Sequence, residues 1–99
     1  MIMHTHVFSL RYPSGSAEEK AFLAEAHNIA GFYGVKNFKV WRQIASQTQG
    51  EFGISMEFDT KEEFEEYMKD RPHLDFAFAR WFPAITVSQD ITFESLAGA

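Results

Sequence analysis

A period-two alternation of apolar and polar residues recurs four times in this chain, and it narrows the fold more than any other feature. Alternation sends successive side chains to opposite faces, which suits a strand buried on one side. In residues 2 to 11, Ile2, His4, His6, Phe8 and Leu10 point one way, and Met3, Thr5, Val7 and Ser9 the other. Between Lys36 and Ser46, Phe38, Val40 and Ile44 oppose Lys39, Trp41 and Gln43. Phe52, Ile54, Met56 and Phe58 alternate with Gly53, Ser55 and Glu57. Ile85, Val87, Gln89, Ile91 and Phe93 alternate with Thr86, Ser88, Asp90 and Thr92. The turn-like Gln47-Thr48-Gln49-Gly50 predicts an antiparallel hairpin between the second and third runs.

Two capping boxes open the intervening segments, Ser16 with Glu19 and Thr60 with Glu63. The first helix is expected to run to about Ala30, burying Phe22, Ala26 and Ile29, with Gly31 and Gly34 at its exit. The second carries Phe64, Tyr67 and Met68 at i, i+3 and i+4, on one face. Lys61, Glu62, Glu65, Glu66 and Lys69 form its solvated side. Pro72 has no N–H, so this helix ends near Asp70 and a short helix restarts from His73. His73, Phe76, Ala77 and Arg80 lie along one stripe of that second piece. The order β-α-β-β-α-β, joined by right-handed crossovers, predicts an α+β ferredoxin-like sandwich: a four-stranded antiparallel sheet with helices on one face. The alternating runs and helices fit a single domain over residues 2–94, with residues 95–99 a frayed tail.

Composition excludes several classes of function. The formal net charge is −5 and no Lys/Arg cluster occurs, so no nucleic-acid partner is expected. With no cysteine there is no disulfide, thiolate or zinc–sulfur chemistry. No apolar run is long enough for a bilayer, and Met-Ile-Met-His-Thr-His is not a signal peptide, so a cytoplasmic protein without membrane contact is expected. Hydrophobic residues make up 45% and aromatics 16%, eleven of them Phe, which suits either a bulky core or a ring-lined cavity.

The candidate chemistry centres on Tyr67 and His73, six residues apart across the proline break. A phenol and an imidazole brought together in an apolar setting make a small-ligand pocket. The same spacing also serves a plain helical hairpin. His73 suits acid–base work because its ordinary pKa lies near neutrality, and Tyr67 suits polarisation of a substrate oxygen. His4 shares a strand face with His6 and Phe8, so His4 is expected to support the pocket, and His6 is read as an ordinary hydrogen-bonded or solvated residue. The expected walls are Phe8, Phe22, Phe38, Ile54, Met56 and Phe76. No carboxylate–histidine spacing supports a metal, and neither metal nor cofactor is expected. Arg11, Arg42 and Arg80 are read as solvated, and His27 as a surface residue.

The chain resembles the stress-responsive dimeric α/β-barrel family, called Dabb, over roughly residues 2 to 93. The resemblance is carried by the strand His4-Thr-His-Val-Phe-Ser-Leu-Arg11, the Gly34-Val35-Lys-Asn-Phe38 entry, the strand ending Met56-Glu-Phe-Asp59, and above all Tyr67-Met-Lys-Asp-Arg-Pro72-His73-Leu-Asp-Phe76. The last is similar to the family's Tyr…His-Pro-x-His-x-x-Phe segment, with Asp70 in place of the first histidine. The resemblance implies a protomer that pairs sheet to sheet into a dimeric α/β barrel, a homodimer. It also implies, from the family's plant polyketide cyclases, roles for His4, Tyr67 and His73 in aldol-type ring closure. A third-strand histidine of those cyclases falls near Phe52 and is missing. The expectation is a small-molecule binder for an apolar, oxygen-bearing compound. The alternatives are a cyclase-like lyase or isomerase using His73 and Tyr67, and a non-enzymatic stress or assembly protein. The expected dimer face carries Thr5, Val7, Ser9, Trp41, Gln43, Ser55, Thr86, Ser88 and Thr92.

Overall fold

The computed structural model describes residues 1–45 and 50–96. Strands β1 (Ile2–Leu10), β2 (Lys36–Arg42), β3 (Phe52–Phe58) and β4 (Ile85–Glu94) form one sheet in the order β2-β3-β1-β4, every pair antiparallel. Helix α1 (Ala17–Ala26) tightens into a 3-10 stretch, His27–Gly31. Helix α2 (Lys61–Lys69) is followed by α3 (Arg71–Phe76), a π-helical stretch Ala77–Trp81 and a last helical turn Phe82–Ala84. This is the expected ferredoxin-like β-α-β-β-α-β arrangement.

The caps act as the residue pattern predicts. Ser16 Oγ accepts from the Glu19 N–H at 3.1 Å, and Thr60 Oγ1 accepts from the Glu63 N–H at 3.1 Å. Glu19 returns its carboxylate to the Gly15 N–H at 3.1 Å, one residue earlier than a capping box requires. Asp70 is extended, with φ −66 and ψ 139, and Pro72 lies in the first turn of α3. The break therefore falls where proline puts it, and the new helix starts at Arg71 rather than His73. All four alternating apolar residues of β3, Phe52, Ile54, Met56 and Phe58, are buried. They meet Ile2, Phe8 and Leu10 of β1, Phe22 of α1, Tyr67 of α2, and Trp81.

The second strand is shorter than expected and irregular near its start. Strand β2 ends at Arg42, and Ile44 is 91% exposed instead of continuing the inward row. Near its start, Asn37 adopts φ 52 and the register with β3 slips between Lys36 and Lys39. Ser46, the turn over Gln47–Gln49 and the tail residues 97–99 lie outside the described residues.

The face assignment of β4 is also corrected. Ser9 pairs with Val87 but Leu10 pairs with Ile85, so Thr86 is an extra residue in β4. Such a bulge reverses inward and outward beyond it. Ile85 packs on the core, but Ser88, Asp90 and Thr92 then stand opposite Phe8, His6 and His4 and share the helix-covered face. Val87, Gln89, Ile91 and Phe93 turn to the open face, opposite Ser9, Val7, Thr5 and Met3. Ser88 and Thr92 therefore leave the expected open face. With Trp41 opposite Gly53, that face is more apolar than alternation alone predicts.

Because Thr60 caps the helix that carries Tyr67, Thr60→Ala should cost about 1 kcal/mol in urea unfolding, with Thr60→Ser recovering most of it.

Candidate functional site

The bulge in β4 and the proline break after α2 aim polar groups into one space. Between α3, its π-helical continuation and the sheet lies a cavity of about 230 Å³. Tyr67 and Met68 of α2 line it, as do His73, Leu74 and Phe76 of α3 and Ala77, Phe78, Trp81 and Phe82 beyond. The sheet contributes His6, Ile54, Ser88 and Asp90, and Ile29 completes the wall. Phe78 and Phe82, 70% and 60% exposed with ring centroids 5.6 Å apart, form the outer rim. The wide π turn before Pro83 fits that residue's missing N–H and its crowding of the preceding turn's carbonyl. Arg80 Nε donates to Glu25 Oε1 at 2.8 Å and Oε2 at 3.0 Å, tying this segment to α1.

Tyr67 and His73 meet with ring centroids 4.3 Å apart and planes inclined by 38°. Tyr67 is fully buried, and burial pushes its phenol pKa up, so it stays protonated and able to donate. Burial pushes the His73 pKa down, opposed chiefly by the nearby Met68 backbone carbonyl. His73 Nδ1 is buried without a partner among the described residues.

A second pair faces them. His6 Nδ1 lies 2.5 Å from Asp90 Oδ1, which also accepts from Ser88 Oγ at 3.1 Å. The hydrogen bond from His6 holds the Asp90 carboxyl below its ordinary range. An Nδ1–H donated to Asp90 leaves Nε2 as the acceptor of the neutral ring. His6 is thus hydrogen-bonded, and beyond the expectation it also lines the cavity.

His4 does not line the cavity. It lies behind His6, with ring centroids 4.5 Å apart, and 6.3 Å from the Tyr67 ring. It is 3% exposed, its Nδ1 shares a 2.7 Å hydrogen bond with Thr92 Oγ1, and its Nε2 is buried without a partner among the described residues. Burial first, then His6, lowers its pKa to about 4. Among the expected wall residues, Ile54 and Phe76 line the cavity, whereas Phe8, Phe22 and Met56 are core and Phe38 packs beside the core. The cavity stays open because Phe8 and Phe22 pack instead against the inner side of Trp81, at centroid distances of 4.7 and 5.8 Å. Asp90, Trp81, Phe78 and Phe82 were not expected at a site. Asp90 is paired with a residue 84 positions away, a match visible only once the bulge fixes the register. Among the described residues no group of three or more His, Asp or Glu side chains is placed to hold a metal ion, and no helix is long and apolar enough to cross a membrane.

No protein-family model matches the chain, and no curated protein matches it. Solved structures do. A Dabb family protein with a ferredoxin-like fold from Mesorhizobium loti is 35% identical, covers 97% of each chain and superposes with a TM-score of 0.92. The Arabidopsis thaliana protein At3g17210 is 16% identical over 100% of this chain and 99% of that one, with a TM-score of 0.78. A dimeric ferredoxin-like protein of unknown function from Thermobifida fusca is 17% identical over 95% and 90% of the two chains, with a TM-score of 0.73.

The histidine environment makes a signed forecast. The unfolded chain takes up a proton at His4 near pH 6.5, while the folded protein holds the ring neutral down to about pH 4. Stability should therefore be full above pH 6.5 and fall as pH drops toward 4, His4 accounting for up to about 3 kcal/mol. Thermal melts across this range should show a visibly flatter profile for His4→Gln than for the native protein.

Proposed function

This chain belongs to the Dabb family of ferredoxin-like proteins, and from that we propose that it works as a homodimer that binds a small, largely apolar, oxygen-bearing molecule in a cavity of each protomer. The observation that carries the reading is the convergence of Tyr67, His73 and the His6–Asp90 pair on one ring-lined cavity of about 230 Å³. Small-molecule sites combine an apolar wall with a few convergent polar groups in this way. In this reading His73 is the acid–base group, Tyr67 the hydrogen-bond donor, and His4 a buried support behind His6. Ile54 and Phe76 contribute wall, whereas Phe8, Phe22, Phe38 and Met56 hold the frame around it.

The pairing surface is the open sheet face. Met3, Trp41 and Phe93 are exposed there, and Val7, Val87 and Ile91 are half-buried between them. An apolar patch of this kind on a single protomer suits a partner surface, and the Thermobifida fusca neighbour is described as dimeric. Trp41→Glu or Ile91→Glu should convert the dimer to monomers in light scattering, because either buries an unpaired charge. A native protein that is already monomeric at micromolar concentration contradicts the proposal.

A second reading, a lyase or isomerase acting by proton transfer, is favoured by the two imidazoles on the cavity wall. His73, held toward its neutral form by burial, is suited to act as a base near pH 7. His73→Asn should weaken ligand binding or turnover by at least about tenfold while moving the melting temperature little. A variant that instead loses stability and keeps its binding assigns His73 to the kink alone, and favours the non-enzymatic assembly role.

A further inference from the structure

We infer that the cavity takes a neutral, flat molecule with a proton-donating oxygen, a phenol or an enol, and turns away carboxylates and phosphates; the inference rests on the ligand-site reading above. Three observations carry it. The first is charge. No lysine or arginine lines the cavity among the described residues, and its one carboxylate is Asp90. An anion entering there meets a like charge and no cation to receive it. The aromatic faces of Tyr67, Phe78 and Trp81 add further negative potential.

The second is hydrogen-bond polarity. With Nδ1–H given to Asp90, a His6 ring that carries a single proton presents Nε2 as an acceptor. Beside the Tyr67 donor, that acceptor is completed by a donor from the ligand, and a hydroxyl both accepts and donates without carrying charge. The third separates neutral from cationic ligands. Asp90 Oδ1 already accepts from both His6 and Ser88, so an ammonium would give up its water for one remaining carboxylate oxygen, Oδ2. The ring-lined walls favour a flat body over a branched one, because a flat ring can stack on them.

Four probes of one shape test this: p-propylphenol, p-propylanisole, p-propylbenzoate and p-propylbenzylamine. Each is titrated into the native protein near neutral pH, and the amide NMR signals of Leu74 and Ala77 report occupancy of the cavity. The phenol should bind saturably. The anisole, which lacks the donor, and the benzoate, which is anionic, should each bind about tenfold more weakly or worse. In Asp90→Asn the benzoate should gain on the phenol; if that variant does not fold, the native panel decides by itself. Benzoate or benzylamine binding as tightly as the phenol overturns the inference and leaves the ligand-site reading standing. Anisole binding equal to phenol overturns the donor requirement. If none of the four perturbs Leu74 and Ala77, the inference and the ligand site fall together.

Discussion

A single extra residue in the last strand, Thr86, governs both faces of this protein. Side chains alternate along a strand, so one inserted position exchanges the two sides for everything beyond it. Before the bulge, Ile85 packs against the core. After it, Asp90 stands against His6 and Thr92 against His4 on the helix-covered side, while Ile91 and Phe93 turn outward. Without the bulge, Ile91 and Phe93 would face the helices and the carboxylate would lie on the open sheet. The polar end of the cavity and the apolar patch proposed for pairing therefore have one structural cause.

The proline break supplies the other half of the site. Asp70 leaves α2 extended, Pro72 starts α3, and His73 returns against Tyr67. Burial works in one direction on these groups: it holds Tyr67 protonated and disfavours the charged forms of His4 and His73. The carboxylate of Asp90 is different, because His6 and Ser88 bond to its charged form. A cavity lining of rings and aliphatic side chains with one paired, partly exposed carboxylate suits an apolar ligand with few polar atoms. The buried unpartnered nitrogens of His4 and His73 are the cost of this arrangement, and each lowers stability somewhat.

Much of the fold was legible from local pattern. The strands of residues 2–10 and 52–58, both caps and the break at Pro72 follow from period, capping chemistry and a missing N–H. Tyr67 and His73 were legible for the same reason, since they are close in sequence and their spacing fixes their meeting. What escaped depends on long-range register. Nothing local marks Thr86 as a bulge, so the faces of Ser88, Asp90 and Thr92 read backwards. His6 then seemed unremarkable, because its partner is Asp90 on another strand. Phe8 and Phe22 looked like pocket walls, but the burial of Trp81 between them and the cavity makes them core. Ile44 followed the alternation in sequence yet lies beyond the end of β2.

The register of β4 against β1 can be read directly from the protonation of one ring. A long-range proton–nitrogen NMR correlation spectrum assigns which nitrogen of each histidine bears a proton. The account predicts that His6 carries a proton on Nδ1, shared with Asp90, and that this signal shifts markedly in Asp90→Asn. A His6 ring with a bare Nδ1 and its proton on Nε2 would contradict the pairing, and with it the placement of Asp90 on the cavity wall.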